Sequence, residues 1–372
     1  MFKVALINDI HFGLKSNNDR FHEIQRKFFY DQFIPYVKHN KLKEIWIGGD
    51  VFDSRTLISP KSIQLALGIV EDLSKIVSHV RILMGNHDVF MGNDNEIHSL
   101  TMFKPYATLY TNKCELIEIQ NKTILFVPWL VDDKMKEEFL KIVNEYEIDI
   151  CYGHFEINGF EMGPDSYCTH GFTTEIFEDI KKVYSGHFHI RANHKHIQYI
   201  GAPYQMSMGD ARSNKGFEIL DIDTLSSEFI INDVSPKHKK VFYSEVKEED
   251  LIKDMLQGNF VNVYFDEPIT EEAANNYSKK IEEFGAISLK VEFQDKQFLT
   301  NKDTAQHVAS QDISDLIEFF KIYMNKVELA EGLDKDRLVS IVENIYEKDL
   351  DVLFEELDQD IESSANVKII KE

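Results

Sequence analysis

Carboxylate, imidazole and amide side chains recur in five short segments of this 372-residue chain: Asp9-Ile10-His11, Gly49-Asp50, Gly85-Asn86-His87-Asp88, Gly153-His154 and Gly186-His187-Phe188-His189. Singly, each is commonplace. Gly-Asp and Gly-Asn pairs are usually surface turns, and a lone histidine is usually structural. Their common position carries more weight, because each follows an apolar run that reads as a strand. In an α/β sheet the carboxyl ends of the strands line the ligand crevice. Five segments would therefore bring their polar groups to one edge, with the glycines permitting tight turns and close backbone approach.

Mixed Asp, His and Asn donors suit Mn²⁺, Fe²⁺ or Zn²⁺, whereas an all-oxygen set would favour Mg²⁺ or Ca²⁺. Asp9, His11, Asp50, Asn86, His154, His187 and His189 are seven candidate ligands, more than one ion needs. Two ions sharing a bridging carboxylate would use them all. Metals about 3.5–4 Å apart generate a hydroxide nucleophile and hold the attacking and leaving oxygens of a phosphoester in line. His87 is then left over as a proton donor to the leaving oxygen.

The elements that must position these groups follow from periodicity. "KVALIND" reads as a strand, and "DRFHEIQRKFFYDQFIPYVKHN" has helical spacing through Phe21, Ile24, Phe28 and Phe33. "LKEIWIGGD" is a second strand. "SPKSIQLALGIVEDLSKI" is a helix with Ser59 as N-cap and Pro60 at its first position. "HVRILMGNHD" is a third strand, and "KTILFVPWL", "IDICYGH", "KKVYSGH" and "IQYIGAP" follow. Such alternation predicts an α/β fold with a largely parallel sheet over residues 1–235. From 236 to 295, "KVFYSEV", "NFVNVYF" and "AISLKVEF" with intervening helical stretches predict a small α+β module. Residues 296–310 form a polar connector, with "KHKK" at Lys237–Lys240 read as the stretch nearest to a linker among the basic segments.

The stretch 311–372 reads as two amphipathic helices, one through Ile313, Leu316, Ile317, Phe320 and Met324, the other through Leu338, Ile341, Ile345, Leu353, Leu357 and Ile361. Two helices bury little by themselves, so they form either a domain of their own or a docking element for a partner's helices. The polar connector favours the partner.

Composition narrows the class. The net charge of -23 argues against a module held to nucleic acid by a basic surface. The charge is uneven: -10 from Asn301 onward, -7 from Val241 to Thr300, and only -6 in the first 240 residues, which hold all but one of the 14 histidines. Bound divalent ions would make the N-terminal site locally positive. No apolar stretch of about 18 residues or more indicates a membrane span, and Met1 leads directly into a strand without a signal peptide, so a cytoplasmic protein is expected. Cys114, Cys151 and Cys168 suit reduced thiols.

In order, "DIH" 9–11, "GDVFD" 49–53, "GNHD" 85–88, "GH" 153–154 and "GHFH" 186–189 resemble the signature of the calcineurin-like metallophosphoesterases. "GDVFDSR", "GHFEINGF", "SGHFH" and "YIGAPYQMSMGDARSNKGFEILD" are similar, within that superfamily, to the SbcD-type DNA repair nucleases, including the nuclease subunits of bacteriophage recombination endonucleases. The resemblance is firm through about Asp223 and rests beyond it on the order of elements.

It implies a layered α/β/β/α core, a small α+β capping domain and a C-terminal helical pair. It also implies that Asp9, His11 and His189 hold one metal, that Asn86, His154 and His187 hold the other, and that Asp50 bridges them. His87 matches the catalytic histidine. Asp53 stands where archaeal and eukaryotic relatives have a second histidine, and is expected beside His87. The cofactors implied are two divalent ions, Mn²⁺ first, with Mg²⁺, Fe²⁺ or Zn²⁺ as alternatives.

The implied partners are DNA, an SbcC-type coiled-coil ATPase engaged through the C-terminal helices, and a second nuclease copy within a heterotetramer. Arg55, Lys61, Arg191, His194, Lys195 and Lys237–Lys240 are candidate phosphate contacts, each weighed against a solvated surface charge. The activity expected is duplex exonuclease and single-strand endonuclease hydrolysis in DNA end processing, replication and recombination. A small-molecule or nucleotide phosphodiesterase on the same scaffold is the alternative, since sites and not folds set function. A non-enzymatic DNA-tethering subunit is a third reading, disfavoured by the intact ligand set.

Overall fold

A computed structural model describes residues 1–91, 94–163 and 166–293; the expected connector from 296 and the helical pair over 311–372 lie outside these residues. The described chain divides into two compact units, one of Met1–Val241, Ile252–Asn262 and Ile281–Ser288, the other of Phe242–Leu251, Val263–Lys280 and the residues from Leu289 on.

Alternation within the strands dictates the layering of the first unit. Along Lys3–Ile7, Ala5 and Ile7 face one way and Val4 and Leu6 the other, and all four are fully buried. A strand buried on both faces needs a layer on each side. On one side Ala5, Ile7, Ile45, Ile47 and Ile82 join Phe28, Phe33, Ile69 and Leu73 of two helices. On the other, Val4, Leu6, Trp46 and Leu83 meet Ile124, Phe126, Ile150 and Tyr152 of a second sheet. That second sheet buries Leu125, Val127, Cys151 and Val183 against Met135 and Phe139 of the helix Asp133–Glu145. The result is α/β/β/α.

Each sheet has six strands. The first runs Ser227–Ile231, Gly216–Asp221, Lys3–Ile7, Glu44–Ile47, His79–Leu83, Thr108–Tyr110, and the second Ala192–His194, Ile197–Tyr199, Lys182–Gly186, Ile150–His154, Lys122–Val127, Glu115–Ile119. Four neighbouring strands are parallel in each, and antiparallel strands complete the edges. The expected parallel arrangement thus occurs twice, in two facing sheets.

Local signals explain the helices. Ser59 caps Pro60–Ser74 by accepting from Ser62 N, with Pro60 in the first turn, where its missing N–H costs nothing. The expected helix over 19–40 is present, but Phe28–Phe33 widens into π-helical turns between Asp19–Lys27 and Ile34–His39. Pro35 supplies the reason: its ring would crowd the carbonyl one α-turn earlier and it has no N–H to return.

The expected small module has its strands at His238–Phe242, Phe260–Phe265 and Ser288–Phe293, with Phe260–Phe265 in the middle of the sheet, and its helix at Glu271–Glu283. "KHKK" is therefore no linker: it enters a strand, and His238 is buried with its ring stacked on Phe260 at 4.6 Å. In the second unit Tyr277 packs on Tyr243 and Phe265 and donates its hydroxyl to Val246 O at 2.7 Å. Among the described residues no helix is long and apolar enough to cross a membrane.

Candidate metal centre

Both sheets contribute to the polar cluster, the first with five residues and the second with three. Turns after Lys3–Ile7, Glu44–Ile47 and His79–Leu83 of the first sheet carry Asp9, His11, Asp50, Asn86 and His87. The second supplies His154 at the end of Ile150–His154, and His187 and His189 just past Lys182–Gly186. The turns are stitched together: Asp9 N donates to Gly49 O at 3.2 Å, His11 N to Asp50 O at 3.0 Å, His87 N to Asp50 Oδ1 at 2.9 Å, and His187 N to Asp9 Oδ1 at 2.9 Å.

The backbone there is held in an unfavourable region. Asp9, His11 and Asp50 sit at φ 51° and His187 at φ 89°, left-handed values that cost non-glycine residues free energy and collect at functional sites. Gly49, at φ 93°, lies so close to Gly85 that a Cβ there would come within 2.8 Å of Gly85 N.

Three of the four imidazoles, those of His154, His187 and His11, have one nitrogen facing an outer partner and the other turned inward. His154 Nδ1 donates to Gly48 O at 2.7 Å, leaving Nε2 3.5 Å from Asp50 Oδ2. His187 Nε2 faces Glu156 Oε1 at 3.2 Å, leaving Nδ1 inward. His11 Nδ1 lies 3.3 Å from Asp53 Oδ1, leaving Nε2 3.7 Å from Asp50 Oδ2 and 3.1 Å from His189 Nε2. Outer partners of this kind orient the ring and present a lone pair to a metal.

The residues fit divalent ions on three counts. Asp9, His11 and His189 bring ligand atoms within 4.8 Å of one another, and so do Asp50, His154 and His187. Asp9 Oδ2 is buried with no hydrogen-bond partner, although its sister oxygen has one. Asn86 Oδ1 lies 3.0 Å from both His154 Nε2 and His187 Nδ1, so with the oxygen inward, acceptors face one another and a cation satisfies them all. Turned over, the amide would donate to both rings and to Asp50, and its oxygen would accept from Arg55.

Charge tells the same story. Burial lifts the Asp9 carboxyl to about 6. Burial also opposes ionisation of Asp50, yet the imidazoles of His154, His11 and His87 outweigh it and hold that carboxyl well below the usual range. His154 is pushed down by burial but carried up to about 9 by Asp50 and Asp9. His189 falls to about 3 through burial, His11 and Lys215. The carboxylates thus recruit positive charge into a buried place, as a metal site must.

His87 stands beside this set, its ring edge-on to His11 with centroids 4.9 Å apart. Its Nδ1 donates to the Asp53 carbonyl oxygen at 2.6 Å. Asp53 thus meets His87 through its backbone, while its carboxylate turns to His11. Burial lowers the His87 pKa, against the pull of Asp50.

Three contributors escaped the sequence reading. Glu156 orients His187, and its place two residues after His154 was the available signal. Trp129 stacks on His187 with centroids 5.3 Å apart, and nothing in the sequence marks it. Asp88 accepts from Val51 N, Phe52 N and Gly85 N: it holds the Gly85–Asp88 turn against the loop after Asp50, and burial lifts its carboxyl to about 7.

The candidate phosphate contacts separate. Arg55 reaches Asn86 in the turned-over amide orientation. Arg191 is paired with Glu218 at 3.2 Å and lies 4.4 Å over the Phe229 ring. Lys61 is paired with Asp19, and Lys195 lies 3.8 Å from Glu178, both lysines exposed. His194 is exposed on its short strand.

The family model described as calcineurin-like phosphoesterase matches residues 2–191, a span containing all five segments. Exonuclease subunit 1 of Enterobacteria phage T4 is 29% identical over 245 residues, covering 65% of this chain and 70% of its own length. The D component of nuclease SbcCD from Staphylococcus epidermidis is 24% identical over 300 residues, covering 71% of this chain and 77% of its own.

Proposed function

The chain belongs to the calcineurin-like phosphoesterases, and on that premise we propose that it is a DNA nuclease hydrolysing phosphodiesters with two divalent metal ions. One observation carries the reading: inward imidazoles flank Asp50 Oδ2, with His11 from the first sheet and His154 from the second. Asp9, His11 and His189 would hold one ion, Asn86, His154 and His187 the other, and Asp50 both. When bound, such ions supply Lewis acidity to the phosphoryl group and lower the pKa of water. Mixed nitrogen and oxygen donors favour Mn²⁺ among the ions available.

The protein's own groups complete the chemistry. Asp53 O fixes the His87 tautomer with Nε2 free, so His87 donates a proton to the departing sugar oxygen. An incoming phosphodiester brings negative charge that favours the protonated ring against its burial. Asp53 Oδ1 and Glu156 aim His11 and His187, and Trp129 limits where the His187 ring can turn.

Printed names of the two relatives, an exonuclease subunit and a component of a nuclease, support DNA as the substrate and an assembly with a partner. In this reading residues 1–235 perform the hydrolysis in the cytoplasm of a bacterial or phage-infected bacterial cell, 236–295 cap the nuclease domain, 296–310 connect, and 311–372 engage a coiled-coil ATPase of the SbcC type, with two nuclease copies per assembly.

The test is digestion of end-labelled linear duplex and single-stranded DNA by the full chain in Mn²⁺, in Mg²⁺ and in chelator, beside Asp50→Asn. Metal-dependent cutting lost in the variant is expected. Hydrolysis of a nucleotide phosphodiester without any cutting of DNA would replace the nuclease by a small-molecule phosphodiesterase.

A further inference from the structure

Directly after His189 the chain enters the wall of a cavity of about 610 Å³, whose cationic lining is Arg191, Arg212 and Lys240 and whose one acidic lining residue among the described residues is Glu161. An adjoining hollow shares Ala211–Asn214 with it and adds Lys237 and Lys239. In a chain of net charge -23, this is a local reversal of sign. It also accounts for the lysines of "KHKK", which the metal centre does not use.

The cations are not equivalent. Arg191 is held flat on Phe229 and paired with Glu218. Arg212 and Lys240 are exposed and, among the described residues, have no ion-pair partner. Their wall is fixed relative to the metal ligands. Lys215 Nζ donates to His189 O at 2.6 Å and pairs with Asp210 at 2.5 Å, and Asp210 Oδ2 accepts from Met206 N and Ser207 N. Lys215 and Asp210 are both buried, so the loop from Ser207 to Lys215 moves with His189.

A cavity of this volume is of small-ligand size. A duplex keeps its bases stacked inside and offers nothing to enter such a hollow, whereas an unpaired nucleotide brings a flat base and a phosphate. Met208, Ile190 and the fixed Arg191 plane suit the base, and Ser213 and Asn214 offer hydrogen bonds; the exposed cations of the lining suit the phosphates. We infer that this cavity binds an unpaired nucleotide of the DNA strand adjacent to the bond being cut, with Arg212 and Lys240 on its phosphates. The inference rests on the nuclease reading above and adds to it a nucleotide subsite outside the metal centre.

The experiment is fluorescence anisotropy of a fluorescein-labelled oligothymidine with the full chain in chelator, over a series of salt concentrations, for the parent, Arg212→Ala, Lys240→Ala and the double variant. Thermal melting checks that the variants fold. The double variant is expected to bind roughly tenfold or more weakly, and its slope of log affinity against log salt to shrink by about 1.4, the counterion release of two single-strand phosphate contacts. A blunt-ended, fully paired duplex of two separate strands is expected to lose less. Unchanged affinity in a folded double variant, no binding by the parent, or an equal loss for duplex would each overturn the inference. Metal-dependent cutting of the same oligonucleotide by the parent reports separately on the nuclease reading.

Discussion

At the scale of single residues, the centre is defined less by its inward atoms than by what restrains them from outside. Glu156 faces the outer nitrogen of His187 at 3.2 Å. Outer partners of this type contribute about 10–100-fold in metal affinity. Glu156→Gln is therefore expected to weaken Mn²⁺ binding within that range, measured by calorimetric titration; an unchanged affinity would make Glu156 a bystander. His87 predicts the opposite split. His87→Ser should bind metal as the parent does and lose about 10²–10⁴-fold in cleavage rate, the usual share of general acid–base catalysis. Cleavage at the parental rate would remove His87 from the proton-donor role. The ligand types were legible from their glycine-flanked strand ends. The outer restraints were not, because Gly48 O and Asp53 O are backbone atoms that no side-chain pattern encodes.

At the scale of elements, the first sheet holds a charged pair at its inner edge. Glu44 is buried and accepts from Arg81 at 2.7 and 3.1 Å and from Trp46 Nε1 at 2.8 Å, while Arg81 also donates to the Tyr110 hydroxyl at 2.7 Å. Removing one partner of a buried pair strands the other and costs about 3–5 kcal/mol. Glu44→Ala should lose that much in denaturant unfolding, and a loss under about 1 kcal/mol would mean that water replaces the carboxylate.

His238 predicts a pH effect. Burial holds its imidazole down to about 4, so the unfolded chain takes up a proton that the folded chain refuses. Its contribution to stability is complete above the unfolded value of about 6.5 and lost progressively as pH falls toward 4. In His238→Phe, which keeps the stack on Phe260, the melting temperature should fall less steeply across that window; identical profiles would refute the assignment. Alternation and caps made most strands and the helices over 19–40 and 60–74 readable, while the helix Asp133–Glu145 was passed over. The division into two sheets was not readable from periodicity, because a strand buried on both faces gives the same apolar run in one sheet or two. The π-helical turns before Pro35 also lie beneath that resolution.

At the scale of the molecule, buried carboxylates gathered at one place repel each other and must be neutralised for the fold to gain from them. A ligand that binds only the folded chain adds stability by mass action, about 2.7 kcal/mol at a hundredfold excess over its dissociation constant. Millimolar Mn²⁺ should thus raise the melting temperature by several degrees in the parent and by much less in Asp50→Asn. An equal rise in both would place the stabilising ions elsewhere.

Finally, the seven inward donors come from two separate sheets, joined through an aromatic layer that includes Trp46, Phe126 and Tyr152. Any slip of one sheet over the other would be read out as misalignment at the metals long before the chain melts. Catalysis in this architecture works as a caliper for the layer beneath it. A conservative trim such as Phe126→Leu, tolerated by the fold, would register first as lost turnover.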